Sequence, residues 1–360
     1  MKENSLGYDS IETAQKEYWS KKRHPYVGGI ELTEKCNLNC VHCYLQGLDK
    51  GSDMTTDEVL TAIDKLYEEG VLFLYFTGGE ILSRKDFKTI YVYAKKKGFI
   101  IELLTNGTLI TEDIIEIFNM YPPATVSISM YGKDNESYDK VTRTKGNFDK
   151  LTKGIKLLKD NGIHFEIKFI GVKENKGDYF AVKKIAEDYG AVFSSSFEMF
   201  PTLSGDNITL QHMLELEDII EIEKKDEKSI SLWANYKKFS NPFKDRCDVP
   251  LFLCDMAVSN FLIDHEGYIN PCHKCRFKEF NIMYNSLSDA WKYYAKYREM
   301  KAPKTLKCLQ CDYIMLCNPC LRVNYLNTGS YTEVPDIVCK LTKMRIGEFS
   351  KKCYDSYRIN

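Results

Sequence analysis

The sequence predicts an α/β chain, a partial (β/α)6 barrel followed by a small cysteine-rich domain, and three observations carry that reading. Short apolar runs alternate with amphipathic stretches between residues 28 and 199, the pattern of strands and helices taken in turn. Glycines stand where the amphipathic stretches stop, at Gly70, Gly98 and Gly162, as helix C-termini prefer. Ten of the 13 cysteines fall between Cys247 and Cys353, where the alternation ends.

Taken in order, residues 1–25 are a lead-in helix or strap, too short for a separate recognition domain. Gly28 to Thr33 reads as a strand that runs into a cysteine loop. Thr55 and Glu58 have capping-box spacing ahead of Val59, Ile63 and Leu66 on one helical face. The spacing then predicts strands over Leu72 to Thr77, Phe99 to Leu104, Thr125 to Met130, Phe165 to Val172 and Val192 to Met199. Between them it predicts helices over 84–97, 111–120, 147–161 and 178–189, the third capped by Asn147 with Phe148, Leu151, Ile155 and Leu158 facing inward. Six such units imply a parallel sheet curved into a partial TIM-like barrel, with its chemistry at the C-terminal ends of the strands. Residues 208–240 are charged and helical. The expected domains are a barrel over 26–228, a bridging segment over 229–246, a cysteine-rich domain over 247–353 and a tail over 354–360.

With 360 residues the chain can bury a sizeable core, and its formal net charge of -1 gives no electrostatic footprint for nucleic acid or an anionic membrane. No apolar run approaches a membrane span and residues 1–25 lack the apolar core of a signal peptide, so a cytoplasmic protein is expected. In a reducing compartment 13 cysteines make a poor disulfide framework and point to metal. Trp291 to Lys304 interleaves aromatic and basic residues, which a half-buried surface helix accounts for.

Cys36, Cys40 and Cys43 form a C-x3-C-x2-C triplet in the first loop. Three thiolates cannot close a tetrahedral zinc site, and a disulfide leaves one thiol over. A cuboidal iron-sulfur cluster fits, with one iron left open to a substrate or cofactor. The triplet, with His42 in a usually aromatic slot, resembles the signature of radical S-adenosylmethionine (radical SAM) enzymes. Alone, Thr77-Gly78-Gly79-Glu80 is an ordinary turn; behind this triplet it resembles the GGE motif of that family, whose role is to hold the amino group of the cofactor's methionine part. The same resemblance implies that Thr105, Asn106 and Ser129 lie at strand ends near the cofactor and that Arg143 meets its carboxylate, a task suited to a bidentate guanidinium.

The spacing Cys254-x12-Gly267-x4-Cys272, then Cys308-x2-Cys311-x5-Cys317-x2-Cys320, then Cys339, resembles the SPASM domain, an appendage of radical SAM enzymes with two auxiliary four-iron four-sulfur clusters. The family has three residues, not two, before the cysteine matching Cys320. The resemblance implies one cluster on Cys247, Cys254, Cys272 and Cys320 and another on Cys308, Cys311, Cys317 and Cys339, leaving Cys275 and Cys353 over. It implies three 4Fe-4S clusters and S-adenosyl-L-methionine as cofactors, cleavage of the latter to a 5'-deoxyadenosyl radical, and a flavodoxin or ferredoxin as electron donor. Most SPASM relatives modify peptides, so the expected substrate is a ribosomally made precursor peptide that is crosslinked or excised, with a separate peptide-recognition protein as a further expected partner. Porphyrin-precursor decarboxylation, sulfatase maturation and a non-catalytic electron carrier are the alternatives. Against the sulfatase reading, those members have an aspartate where His273 follows Cys272; against the carrier, the open cysteine site has no use there.

Overall fold

The computed structural model describes residues 18–48, 51–234, 241–317 and 319–356. Most of the expected lead-in, part of the bridging segment, the end of the tail and the Cys353 side chain lie outside the described residues and side chains. The six expected strands are β1 (Val27–Thr33), β2 (Phe73–Gly78), β3 (Ile100–Thr105), β4 (Thr125–Ser129), β5 (Phe165–Ile170) and β6 (Val192–Ser196). They pair in parallel, each beside the next. Helices α1 (Thr56–Glu68), α2 (Phe87–Lys96), α3 (Glu112–Met120), α4 (Asn135–Thr142), α5 (Asn147–Asp160) and α6 (Tyr179–Tyr189) connect them. The result is the mostly parallel sheet of a partial barrel.

Local chemistry explains most boundaries. Thr55 caps α1 and forms the reciprocal capping box with Glu58. Along β1 every residue after Val27 is buried, as befits a parallel strand covered on both faces. Two expectations change. The N-cap of α5 is Gly146, in the left-handed region at φ 69. Asn147 is instead its first helical residue, buried, with its amide donating to Thr144 Oγ1 at 3.0 Å. Helix α4 is additional: Asp134 caps it through the Ser137 N–H at 2.9 Å, and its short, mostly polar run carries little periodic signal.

The cysteine-rich segment is woven into the same sheet. β7 (Asn260–Ile263) pairs in parallel with β1 from Val27↔Asn260 to Ile30↔Ile263, and β8 (Ile269–Asn270) turns back antiparallel on β7. The sheet therefore has eight strands, ordered β6-β5-β4-β3-β2-β1-β7-β8. Gly28 permits this pairing, because a Cβ there would lie 2.1 Å from the Phe261 ring.

Beyond the six units come α7 (Leu216–Glu223), α8 (Glu227–Ala234), α9 (Leu287–Glu299), α10 (Ile314–Cys317), α11 (Leu321–Thr328) and α12 (Asp336–Ser356). The surface helix expected near Trp291 is α9, which buries Leu287, Ala290, Trp291 and Tyr294. Arg345 of α12 grips Glu223 of α7 through two bonds of 2.6 and 2.9 Å, the paired geometry that guanidinium and carboxylate favour. Among the described residues no helix is long and apolar enough to cross a membrane.

Candidate active site

The loop after β1 is anchored before it presents a thiol. Asp53 accepts from Thr33 Oγ1 at 2.8 Å and from the Glu34 N–H at 3.1 Å. Further along, the Asn39 and Val41 N–H groups donate to the carbonyls of Thr142 and Val141 at 3.0 and 2.9 Å, so the end of α4 holds the loop from the side. Leu38 and Val41 are buried beneath it. The result is a fixed loop with Cys36 exposed and Cys40 and Cys43 half-buried.

Burial pushes the Cys36, Cys40 and Cys43 thiols above their ordinary pKa, and for Cys36 and Cys40 the other thiols of the loop add to the rise. Three crowded thiols are unfavourable as an apolar cluster of protons or anions and become favourable once a cation replaces the protons. Donors for the resulting thiolate are in place: the Leu38 N–H lies 3.4 Å and Asn106 Nδ2 3.8 Å from Cys36 Sγ. Among the described residues no group of three or more His, Cys, Asp or Glu side chains is arranged to hold a single metal ion.

Gly78 and Gly79 carry β2 across the base of this loop. A Cβ on either would lie 2.2 Å from Thr33 O or 2.3 Å from Lys35 O, and Gly78 has φ 133. This close approach lets the Gly79 and Glu80 N–H groups donate to those same two carbonyls at 2.8 Å each. Glu80 is fully buried, and its carboxylate accepts from Thr105 Oγ1 and the Asn106 N–H, both at 2.7 Å, and from the Leu82 N–H at 3.0 Å. Burial raises its pKa, against the pull of those donors. Glu80 thus ties the ends of β2 and β3 together from behind the site, while Thr77, Gly78 and Gly79 line its wall.

A cleft of about 880 Å³ opens over the loop. Of the residues singled out from the sequence, Cys36, Cys40, Cys43, Gly78, Gly79, Thr105, Asn106 and Ser129 line it. Arg143 does not: it is exposed, left-handed at φ 52, and its Nη2 lies 3.4 Å from His212 Nε2. His42 is half-buried at the cleft, edge-on to Tyr131 with ring centroids 4.5 Å apart, and desolvation of its ring, with His212 nearby, pushes its pKa down to about 4.

Other wall residues escaped the sequence reading. Lys168 on β5 is 2.8 Å from Glu166 and 3.4 Å from Glu102, and Ser127 donates to Glu102 at 2.7 Å. Burial opposes the charge on Lys168, yet the two carboxylates outweigh it and hold its pKa above the ordinary lysine value. The alternation Phe165-Glu166-Ile167-Lys168-Phe169 carried the signal, since polar residues at every second place of a barrel strand face away from the helices. His273 and Lys274 reach the same cleft from the cysteine-rich segment, Lys274 over the Phe200 ring at 4.6 Å. Beneath them, Arg276 pairs with buried Glu31 of β1 at 2.6 Å, and His265 Nε2 lies 3.2 Å from Glu34 Oε2.

The remaining cysteines fall into two groups. Burial raises the Cys308 thiol to about 11, and Cys339, Cys317 and Cys311 lie close enough to add to the shift. Burial likewise raises Cys254, helped by Cys272 and Cys320. Cys247 is exposed.

A parallel partial barrel with a three-cysteine loop at the C-terminal end of its first strand defines a class of enzyme. Residues 30–182 match the family model described as the Radical SAM superfamily, from within β1 into α6, and form a radical SAM domain. That family implies S-adenosylmethionine and a 4Fe-4S cluster. The chain is 28% identical over 332 residues to the AdoMet-dependent heme synthase of Methanosarcina barkeri, covering 86% of this chain and 95% of that one. It is 32% identical over 169 residues to the antilisterial bacteriocin subtilosin biosynthesis protein AlbA of Bacillus subtilis, covering 46% and 38% of the two chains. In fold it resembles Streptococcus suis SuiB, whose crystal structure holds the precursor peptide SuiA, with a TM-score of 0.71 at 19% identity over 92% of this chain and 81% of that one. The chain carries a radical SAM domain and is similar both to peptide maturases and to heme synthases.

Proposed function

We propose that the enzyme oxidises a ribosomally made peptide at an unactivated C–H bond, forming a crosslink or excising a residue. When bound at Cys36, Cys40 and Cys43, the cluster and S-adenosylmethionine supply a 5'-deoxyadenosyl radical that removes one hydrogen atom from the substrate. The backbone at Thr77 to Gly79 and the Ser129 hydroxyl are the groups available to the methionine portion, with Arg143 available to its carboxylate from outside the wall. His273, in the cleft, is available to take the proton that an oxidised substrate releases. The C-terminal cysteines would hold two auxiliary clusters able to accept the released electron, and a flavodoxin or ferredoxin would supply the reducing electron. A separate peptide-recognition protein would bring the precursor.

One observation supports a peptide over a porphyrin: the described cleft wall has no arginine, and two of its three lysines, Lys35 and Lys168 but not Lys274, are paired with acids. Lys35 lies 3.5 Å from Asp53, and Lys168 is held by Glu166 and Glu102. A porphyrin with several propionates needs unspent cations, preferably guanidinium forks. The porphyrin reading rests on the heme synthase match over most of the chain.

The test offers both substrates to the reconstituted, reduced enzyme with S-adenosylmethionine: short peptides encoded beside its gene, and iron coproporphyrin III. The expected product is a peptide that has lost a hydrogen pair or a fragment, with the porphyrin unchanged. Decarboxylated porphyrin and intact peptide would overturn the proposal.

A further inference from the structure

Three C-x2-C pairs in this chain share one turn. The Cys43 N–H donates to Cys40 O at 3.2 Å, Cys311 N–H to Cys308 O at 3.1 Å, and Cys275 N–H to Cys272 O at 2.9 Å. The first two pairs belong to proposed ligand sets, whereas Cys275 is assigned to none. An N–H two residues on also points at the leading sulfur in both the first loop and this one, from Leu38 to Cys36 at 3.4 Å and from Lys274 to Cys272 at 3.5 Å. Such donors favour the thiolate over the thiol.

Cys275 is fully buried beside Val249, Met256 and Leu306, and its thiol is hydrogen-bonded to that of Cys272. Cys320 is a neighbour of both Cys275 and Cys254, and Cys254 of Cys272. Four thiols therefore share one region: Cys254, Cys272, Cys275 and Cys320. Arg322, whose Nε donates to Lys274 O at 3.1 Å, is a cation close enough to Cys275 to favour its thiolate. Cys247, exposed like Cys254, is not among these neighbours, and among the described residues no hydrogen-bond donor is directed at its sulfur.

We propose that Cys275, in place of Cys247, supplies the fourth thiolate of the auxiliary cluster held by Cys254, Cys272 and Cys320, and that Cys247 is a free surface thiol. On ligation Cys275 gives up its proton to solvent, and the hydrogen bond between the Cys275 and Cys272 thiols gives way to a bond from each thiolate to iron. The inference rests on the auxiliary-cluster reading of the C-terminal segment.

The test is alkylation of the anaerobically reconstituted, unmodified holoprotein with iodoacetamide, read by peptide mass. Cys247 should label within minutes, and Cys275 only after the irons are chelated and the chain is unfolded. In parallel, iron counts and Mössbauer spectra of single variants should show the full complement, about twelve irons for three cubanes, in Cys247→Ser. In Cys275→Ser they should show loss of about four irons or an altered, oxygen-ligated cubane. Protection of Cys247 with labelling of Cys275, in a holoprotein of full iron content, would overturn this assignment alone. A holoprotein with about four irons would overturn the auxiliary-cluster reading as well.

Discussion

The two cysteine-bearing regions of this molecule are held in opposite ways. The Cys36 loop sits on one apolar core of fifty buried residues, which runs from Ile30 through β1 to β5 and continues into Phe261, Ile263 and Trp291. The later cysteines surround a separate cluster of nine buried residues, among them Val249, Phe252, Leu309 and Leu321. A core of that size supplies little burial for a loop-rich unit, and the proposed auxiliary clusters would add folding free energy there, whereas the barrel has a large apolar core of its own. The chain between Cys247 and Cys339 is itself divided: β7, β8 and α9 belong to the barrel core, and the stretches around 247–256 and 300–339 do not.

That contrast is open to experiment, beginning with its largest consequence. Anaerobic chelation of all iron should leave amide hydrogen exchange in β1 to β5 slow, while protection around Leu309 to Leu321 falls by orders of magnitude. Uniform loss, or none, would erase the distinction. Next in size is the joint between the regions. Arg276→Met strands the buried carboxylate of Glu31, and chemical denaturation of the holoprotein should show a loss of about 3–5 kcal/mol. Adding Glu31→Gln should recover part of it; no recovery would mean that the pair is not the link.

Within the barrel, Glu80→Gln replaces an acceptor of three hydrogen bonds with a half-donor. It should cost about 1–3 kcal/mol in barrel stability with the iron content of the Cys36 cluster unchanged. If stability held and only cofactor affinity fell, Glu80 would be a direct ligand of the cofactor and not a brace. The smallest effect is expected at Arg143. Its exposed guanidinium is worth at most about 1 kcal/mol, so Arg143→Ala should weaken S-adenosylmethionine binding by no more than about fivefold in a titration. A hundredfold loss would place the guanidinium on the carboxylate in a desolvated site.

Much of the barrel was legible because each unit carries its own local signal. The Thr55/Glu58 capping box, the apolar runs of β1 to β5 and the glycine stops can be read without knowing what packs on what. The cysteine loop was legible for the same reason, since its ligands lie within eight residues. What stayed hidden was set by distant partners. Nothing local says that Asn260 to Ile263 pairs with Val27 to Ile30, a match made by a missing side chain at Gly28 and a ring at Phe261. Glu80 reads as a ligand in its motif, and only β3 reveals that it also accepts from Thr105 and Asn106. Lys168 is an ordinary residue in its own segment and becomes a site residue when its strand faces the cleft.

The most direct test of the account is S-adenosylmethionine cleavage by the anaerobically reconstituted, dithionite-reduced protein, with 5'-deoxyadenosine and methionine quantified by chromatography. The account predicts 5'-deoxyadenosine from the native protein and only background from a Cys36→Ala, Cys40→Ala, Cys43→Ala triple variant that keeps its C-terminal iron. Equal product from both proteins, or none from the native one when its iron is fully loaded, would contradict it.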